Sequence, residues 1–167
     1  NRRVRNLDPA DPITVSYEKK VGDWPTGRDH PELRKFGADD QHSDTITHGV
    51  SRIGFMTGGK AALWKDEELG DQFTAQALAF IEREKAKPFF LFFALQEPHV
   101  PRVPAPRFVG KTKLGPRGDA IAQLDDHVGA VIAKLKDLDL LENTLIIVPS
   151  DNGPVLDDGY EDGAVSM

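Results

Sequence analysis

Phe89-Phe90-Leu91-Phe92-Phe93-Ala94-Leu95 is an apolar run without polar alternation, and it sets the architecture of the chain. A strand apolar on both faces belongs inside a sheet covered on each side by helices. Before it, residues 67–86 carry Leu69, Phe73, Ala77, Phe80 and Ile81 at helical spacing. Asp66, Glu67 and Glu68 supply carboxylates at the start of that helix, and Pro88 stops it. After it, a proline-rich loop leads into a second helix, expected from about Asp119 to Leu138. There Ile121, Leu124, Val128, Val131, Leu135 and Leu138 step by three and four, which predicts one continuous buried stripe. Leu145-Ile146-Ile147-Val148 then reads as a short buried strand. The order helix, strand, helix, strand defines an α/β chain. Residues 89–148 are expected to form two parallel strands joined by a right-handed crossover.

In open α/β sheets, ligands sit beyond the carboxyl ends of the strands. Those ends carry Gln96-Glu97-Pro98-His99 and Ser150-Asp151-Asn152-Gly153, so both clusters are expected on one edge of the sheet. Asp151 and Asn152 offer hard oxygen donors of the kind that bind Ca²⁺ or Mg²⁺. The same Asp-Asn-Gly order also suits a plain turn. Two side chains cannot fill a shell of six to eight oxygens, so a metal here would need further ligands. His99 stands among Pro98, Pro101, Pro104 and Pro106, which restrict the loop and fix the place of the imidazole. A fixed histidine can donate to an anion or act as a general acid. It can equally be a surface-loop residue. The loop could also serve as a proline-rich peptide ligand, flanked by Arg102 and Arg107.

Composition narrows the function classes. The length of 167 residues corresponds to about one domain. With 21 Lys plus Arg against 27 Asp plus Glu, the net charge is −6, and no basic face for nucleic acid is expected. No apolar run is long enough to span a membrane, and no signal segment opens these residues. Cysteine is absent, which excludes disulfides, thiolate metal sites and a cysteine nucleophile within this stretch. Residues 1–60 hold only 16 apolar side chains, whereas 61–150 hold 43. Residues 1–60 therefore read as a loop-rich excursion packed on residues 61–167, with an edge strand around Ile13–Tyr17. His30, His42 and His48 are expected in solvated polar loops, and His127, beside Asp126, on an exposed helix face. Gly58-Gly59-Lys60 lacks the spacing of a phosphate loop. Asp157, Asp158, Glu161 and Asp162 read as a solvated acidic tail.

Lys87–Leu95 followed by Pro98-His99-Val100-Pro101-Arg102 resembles the sulfatase family. So does Leu141–Ser150 leading into Asp151-Asn152-Gly153-Pro154. Gly115-Pro116-Arg117-Gly118-Asp119 and Gln123-Leu124-Asp125 match in order and spacing. The segment from Asn6 to Pro12, with Ser51-Arg52-Ile53-Gly54-Phe55-Met56, is similar to bacterial arylsulfatases of the arylsulfatase A type. The resemblance implies part of an alkaline-phosphatase-like sandwich, with a mixed, mostly parallel sheet flanked by helices. It implies a sulfuric ester hydrolase acting on a small-molecule or glycan sulfate ester, in a periplasmic or secreted location. By resemblance, His99 contacts the sulfate and assists the leaving alcohol, Asp151 and Asn152 ligate Ca²⁺, and the nucleophile is a formylglycine made from Cys or Ser. The Cys/Ser-x-Pro-x-Arg motif of that nucleophile does not occur here, so the chain looks like an internal section of a longer domain. Gln96-Glu97 stands where related sequences carry a His-Asp pair or similar. The alternatives are a phosphoester or phosphonate hydrolase on the same scaffold, or a non-catalytic fragment or pseudoenzyme.

Overall fold

A computed structural model describes residues 4–155 and 158–160. Of the acidic tail, Asp157, Glu161 and Asp162 lie outside the described residues. The chain divides into two compact units, one of Asn1–Lys65 with Asp157–Met167 and one of Asp66–Leu156.

The first unit is built from short strands and turns. Strand β1 (Thr14–Ser16) falls within the stretch expected to be an edge strand. Strands β2 (Ile46–Thr47) and β3 (Val50–Ser51) form a hairpin, and β4 (Phe55–Thr57) pairs antiparallel with β1, Val15 opposite Met56. The hairpin turns through His48 and Gly49, at φ 51° and 82°. Two left-handed residues give the turn whose twist matches the flanking strands, and glycine takes that conformation without a Cβ clash. The interior of this unit is largely polar. Thr26, Ser43, Thr45, Thr47 and Ser51 are buried, with Ile46 and Val50 among them. Hydroxyls and carboxylates satisfy the backbone where few apolar side chains exist to exclude water: Asp44 accepts from Gly54 N at 2.8 Å, and Thr45 Oγ1 from Met56 N at 2.9 Å. His42 is held by Asp39 at 2.9 Å and lies against the Tyr160 ring, centroids 4.8 Å apart.

The second unit pairs two long helices, α1 (Asp66–Glu84) and α2 (Gly115–Asp137). α1 follows its expected span closely, whereas α2 starts earlier than Asp119, with Pro116 in its first turn where a missing N–H costs nothing. Asp119 instead clamps the preceding loop, accepting from Gly110 N at 2.7 Å and Thr112 N at 2.8 Å. Toward the far end of the pair, Lys134 and Lys85 hold the Glu82 carboxyl down to about 2.

The buried face of α2 corrects two expectations. Its buried side chains include Ala120, Gln123, His127 and Leu135, while Ile121 of the expected apolar stripe is 47% exposed. Leu124, Val128 and Val131 are half-buried. His127, expected on an exposed face, is 1% exposed. The reason is pairing across the sequence: carboxylates from α1 and from the proline-rich loop meet this imidazole, and a buried polar ring is tolerated where it has such partners.

The strand expectation is also corrected. Residues 89–95 and 145–148 make no strand ladder among the described residues, so the two do not pair as a βαβ unit. Both belong to extended stretches. Phe89, Leu91, Phe93 and Leu95 are half-buried on one side, Phe89 meeting Phe80 edge-on at 5.6 Å, while Phe90 and Phe92 are 85% and 81% exposed. This period of two is strand geometry. Leu145, Ile147 and Val148 are exposed as well. A ladder needs a neighbouring strand to supply N–H and C=O partners, and these residues receive none from the described chain.

Candidate functional site

His99 closes a tight turn at the end of the first extended stretch, its N–H donating to Gln96 O at 2.8 Å. The Glu97–Pro98 bond within that turn is cis, as is Val100–Pro101. The imidazole is exposed, and its Nδ1 lies 2.6 Å from Val100 O. A carbonyl oxygen only accepts, so Nδ1 carries the hydrogen. That contact orients the ring and leaves Nε2 without a hydrogen-bond partner among the described residues. Arg102, 5% exposed, donates from Nε to Pro98 O at 2.8 Å and braces the loop from the other side.

Asp151 and Asn152 lie in a bend after the second extended stretch and are exposed. Ser150 Oγ donates to Asn152 O at 2.7 Å, and Asn152 Nδ2 to Gly153 O at 2.8 Å. With its amide nitrogen engaged, Asn152 presents Oδ1, beside an Asp151 carboxylate that no protein donor engages among the described residues. This donor set fits a hard divalent cation by chemistry, though two side chains fill only part of such a shell. Among the described residues no cluster of three or more His, Asp or Glu side chains could hold a metal by itself. No hydrogen bond or ion pair joins His99 to Asp151 or Asn152.

Behind the His99 turn lies a polar cluster that the sequence reading passed over. Glu97 turns inward, its side chain 5% exposed. Its Oε1 accepts from Gln123 Nε2 at 2.6 Å and Gln96 Nε2 at 3.2 Å, and lies 3.8 Å from His127 Nδ1. Gln123 Oε1 accepts from Ala105 N at 2.7 Å. His127 Nε2 is 3.2 Å from Asp71 Oδ1, and Asp71 is gripped by Arg107 through two bonds of 2.6 and 2.5 Å. Arg107, then His127, hold the Asp71 carboxyl below its ordinary value, and Asp71 in turn raises the Arg107 guanidinium. Only the i, i+4 spacing of Gln123 and His127 hinted at a shared face. With Arg102 buried and Arg107 clamped, the loop lacks the free basic flanks of a proline-rich peptide ligand.

The second unit thus sets a histidine beyond one extended apolar segment and an Asp-Asn oxygen pair beyond another. The model of the family named Sulfatase matches residues 14–166, and the chain belongs to that family. It is 56% identical over 164 residues to N-acetylgalactosamine-6-O-sulfatase of Bacteroides thetaiotaomicron, covering 98% of this chain and 32% of that protein. It is 39% identical over 103 residues to human arylsulfatase H, covering 62% of this chain and 18% of that protein. A solved structure from work on the metabolism of multiple glycosaminoglycans by Bacteroides thetaiotaomicron superposes with a TM-score of 0.90 at 57% identity, covering 94% of this chain and 33% of that one. The chain thus carries part of the alkaline-phosphatase-like α/β fold and spans a third or less of the length of these relatives. Its bare extended segments follow from that share, because a sheet drawn from a longer chain leaves single strands without their neighbours.

Proposed function

We propose that this chain is the His99- and Asp151-bearing section of a sulfuric ester hydrolase acting on a 6-O-sulfated N-acetylgalactosamine unit of a glycan. The observation that carries this reading is the His99 turn, an exposed histidine whose Nδ1 is fixed on Val100 O and whose Nε2 has no hydrogen-bond partner among the described residues. It stands in a chain 56% identical, over nearly its whole length, to a sulfatase named for that sugar.

In this reading His99 Nε2 binds the anionic sulfate and, as the imidazolium, gives a proton to the departing sugar oxygen. The turn keeps the ring in register with the ester. Asp151 and Asn152 would hold a Ca²⁺ ion, which when bound neutralises charge on the sulfate oxygens. The nucleophile, a formylglycine in the family, is supplied by residues outside this chain. The family likeness also supports a periplasmic or secreted location. No described helix is long and apolar enough to cross a membrane.

The test is sulfate release by the full-length protein from 6-O-sulfated N-acetylgalactosamine, beside the matching 6-phosphate. Sulfate release with the phosphate ester untouched supports the reading. Preferential hydrolysis of the phosphate ester, or none of either, overturns it.

A further inference from the structure

We infer that Glu97, buried beneath the turn whose outer side carries His99, is a positioning residue for that histidine, held in place by Gln123 and His127 of α2. The inference rests on the reading of His99 as the group that meets the ester.

The turn has an inside and an outside. Glu97 and His99 are two residues apart, yet the first is 5% exposed and the second stands in solvent. A buried carboxylate is costly unless hydrogen-bonded and countered by charge. Glu97 Oε1 is hydrogen-bonded by the Gln123 amide at 2.6 Å, and the His127 imidazole lies 3.8 Å from it. Gln123 does more than satisfy Glu97. Its other end accepts from Ala105 N, so one side chain of α2 ties both ends of the loop from 97 to 105. Arg107, just beyond, is fastened to α1 through Asp71, and Asp71 also meets His127. The histidine-bearing loop is therefore anchored at Glu97, Ala105 and Arg107, and each anchor ends on a helix.

α1 makes room for this arrangement at Gly70. A Cβ there would collide with His127 Cε1 and Glu97 Oε1 and come within 2.8 Å of Gln123 Nε2. Glycine inside a helix costs about 1 kcal/mol relative to alanine. Here the bare backbone admits the three side chains that fix the loop. A reacting group displaced by about 1 Å can lose on the order of 100-fold in rate, which is why such a support matters for His99.

The test uses the full-length protein with Glu97→Ala and Glu97→Gln, the glutamine keeping an acceptor for Gln123. Two substrates are compared: a sugar 6-O-sulfate, whose alkoxide needs a proton to leave, and 4-nitrophenyl sulfate, whose phenolate leaves without one. Glu97→Ala is expected to lower kcat/KM on the sugar sulfate about 100-fold and on the aryl sulfate about 10-fold or less, with Glu97→Gln recovering most of the loss. Equal losses on both substrates mean that only the folded fraction changed, and overturn the inference. Amide exchange across residues 98–105 gives a second readout that needs no activity. Faster exchange there in Glu97→Ala, with α1 protected as before and Glu97→Gln restored, supports the inference even if neither ester is cleaved. Unchanged exchange overturns it. Absence of sulfatase activity in the wild type counts only against the function proposed above.

Discussion

Asp71 of α1 and Arg107 of the proline-rich loop face each other through two hydrogen bonds, 2.6 and 2.5 Å long, and the same carboxylate receives His127 at 3.2 Å. This pair is where the helical layer holds the far end of the histidine-bearing loop. Both side chains are nearly half exposed, so solvent screening limits the pair to about 0.5–1 kcal/mol.

Its pH dependence follows from the direction of the shift. The Asp71 carboxyl lies below its ordinary value of 3.8 when folded, so its stabilisation is complete above that value and is lost as pH falls through the lower folded value. In urea unfolding of the full-length protein, the stability gap between wild type and Asp71→Asn should stay constant from about pH 8 to pH 5 and close below about pH 4. A gap that widens on acidification contradicts this account.

Gly70→Ala distinguishes a packed polar cluster from an ordinary helix position by the sign of its effect. At an open site the added methyl would stabilise the helix by up to about 1 kcal/mol. At Gly70 it meets His127, Glu97 and Gln123, so destabilisation of about 1–3 kcal/mol is expected. Thermal or urea unfolding reads the result directly.

The oxygen pair is tested by metal binding. Asp151→Ala in the full-length protein should weaken Ca²⁺ binding, read by calorimetry, by more than the roughly 10–100-fold that loss of an outer-shell partner costs. Chelation should lower activity, and added Ca²⁺ should restore it in the wild type. Calcium affinity equal in wild type and variant would leave Asp151-Asn152-Gly153 as a turn and nothing more.

The helices were legible because their signals are local. Carboxylates at Asp66–Glu68 and the stop at Pro88 frame α1, and apolar residues at steps of three and four reveal α2. The placement of His99 and of Asp151 after apolar segments was legible too, since both follow runs that only extended chain accommodates. The burial of His127 was not. Its partners, Asp71 and Glu97, lie 56 and 30 positions away along the chain, and a reading that counts apolar residues takes Asp126-His127 for a solvent face. The same limit hid the bareness of Phe90, Phe92 and Ile147. Apolarity shows that a segment seeks cover, but not whether the covering chain lies within the same 167 residues.

The central claim is that His99 acts on a sulfate ester, and one measurement tests it most directly: kcat/KM of full-length His99→Ala on 6-O-sulfated N-acetylgalactosamine. Because His99 is exposed and bonds only within its own loop, the variant should unfold at the wild-type midpoint. The account predicts a loss of about 100- to 10,000-fold, the range of a positioned general acid. Wild-type turnover by a folded His99→Ala protein would contradict it.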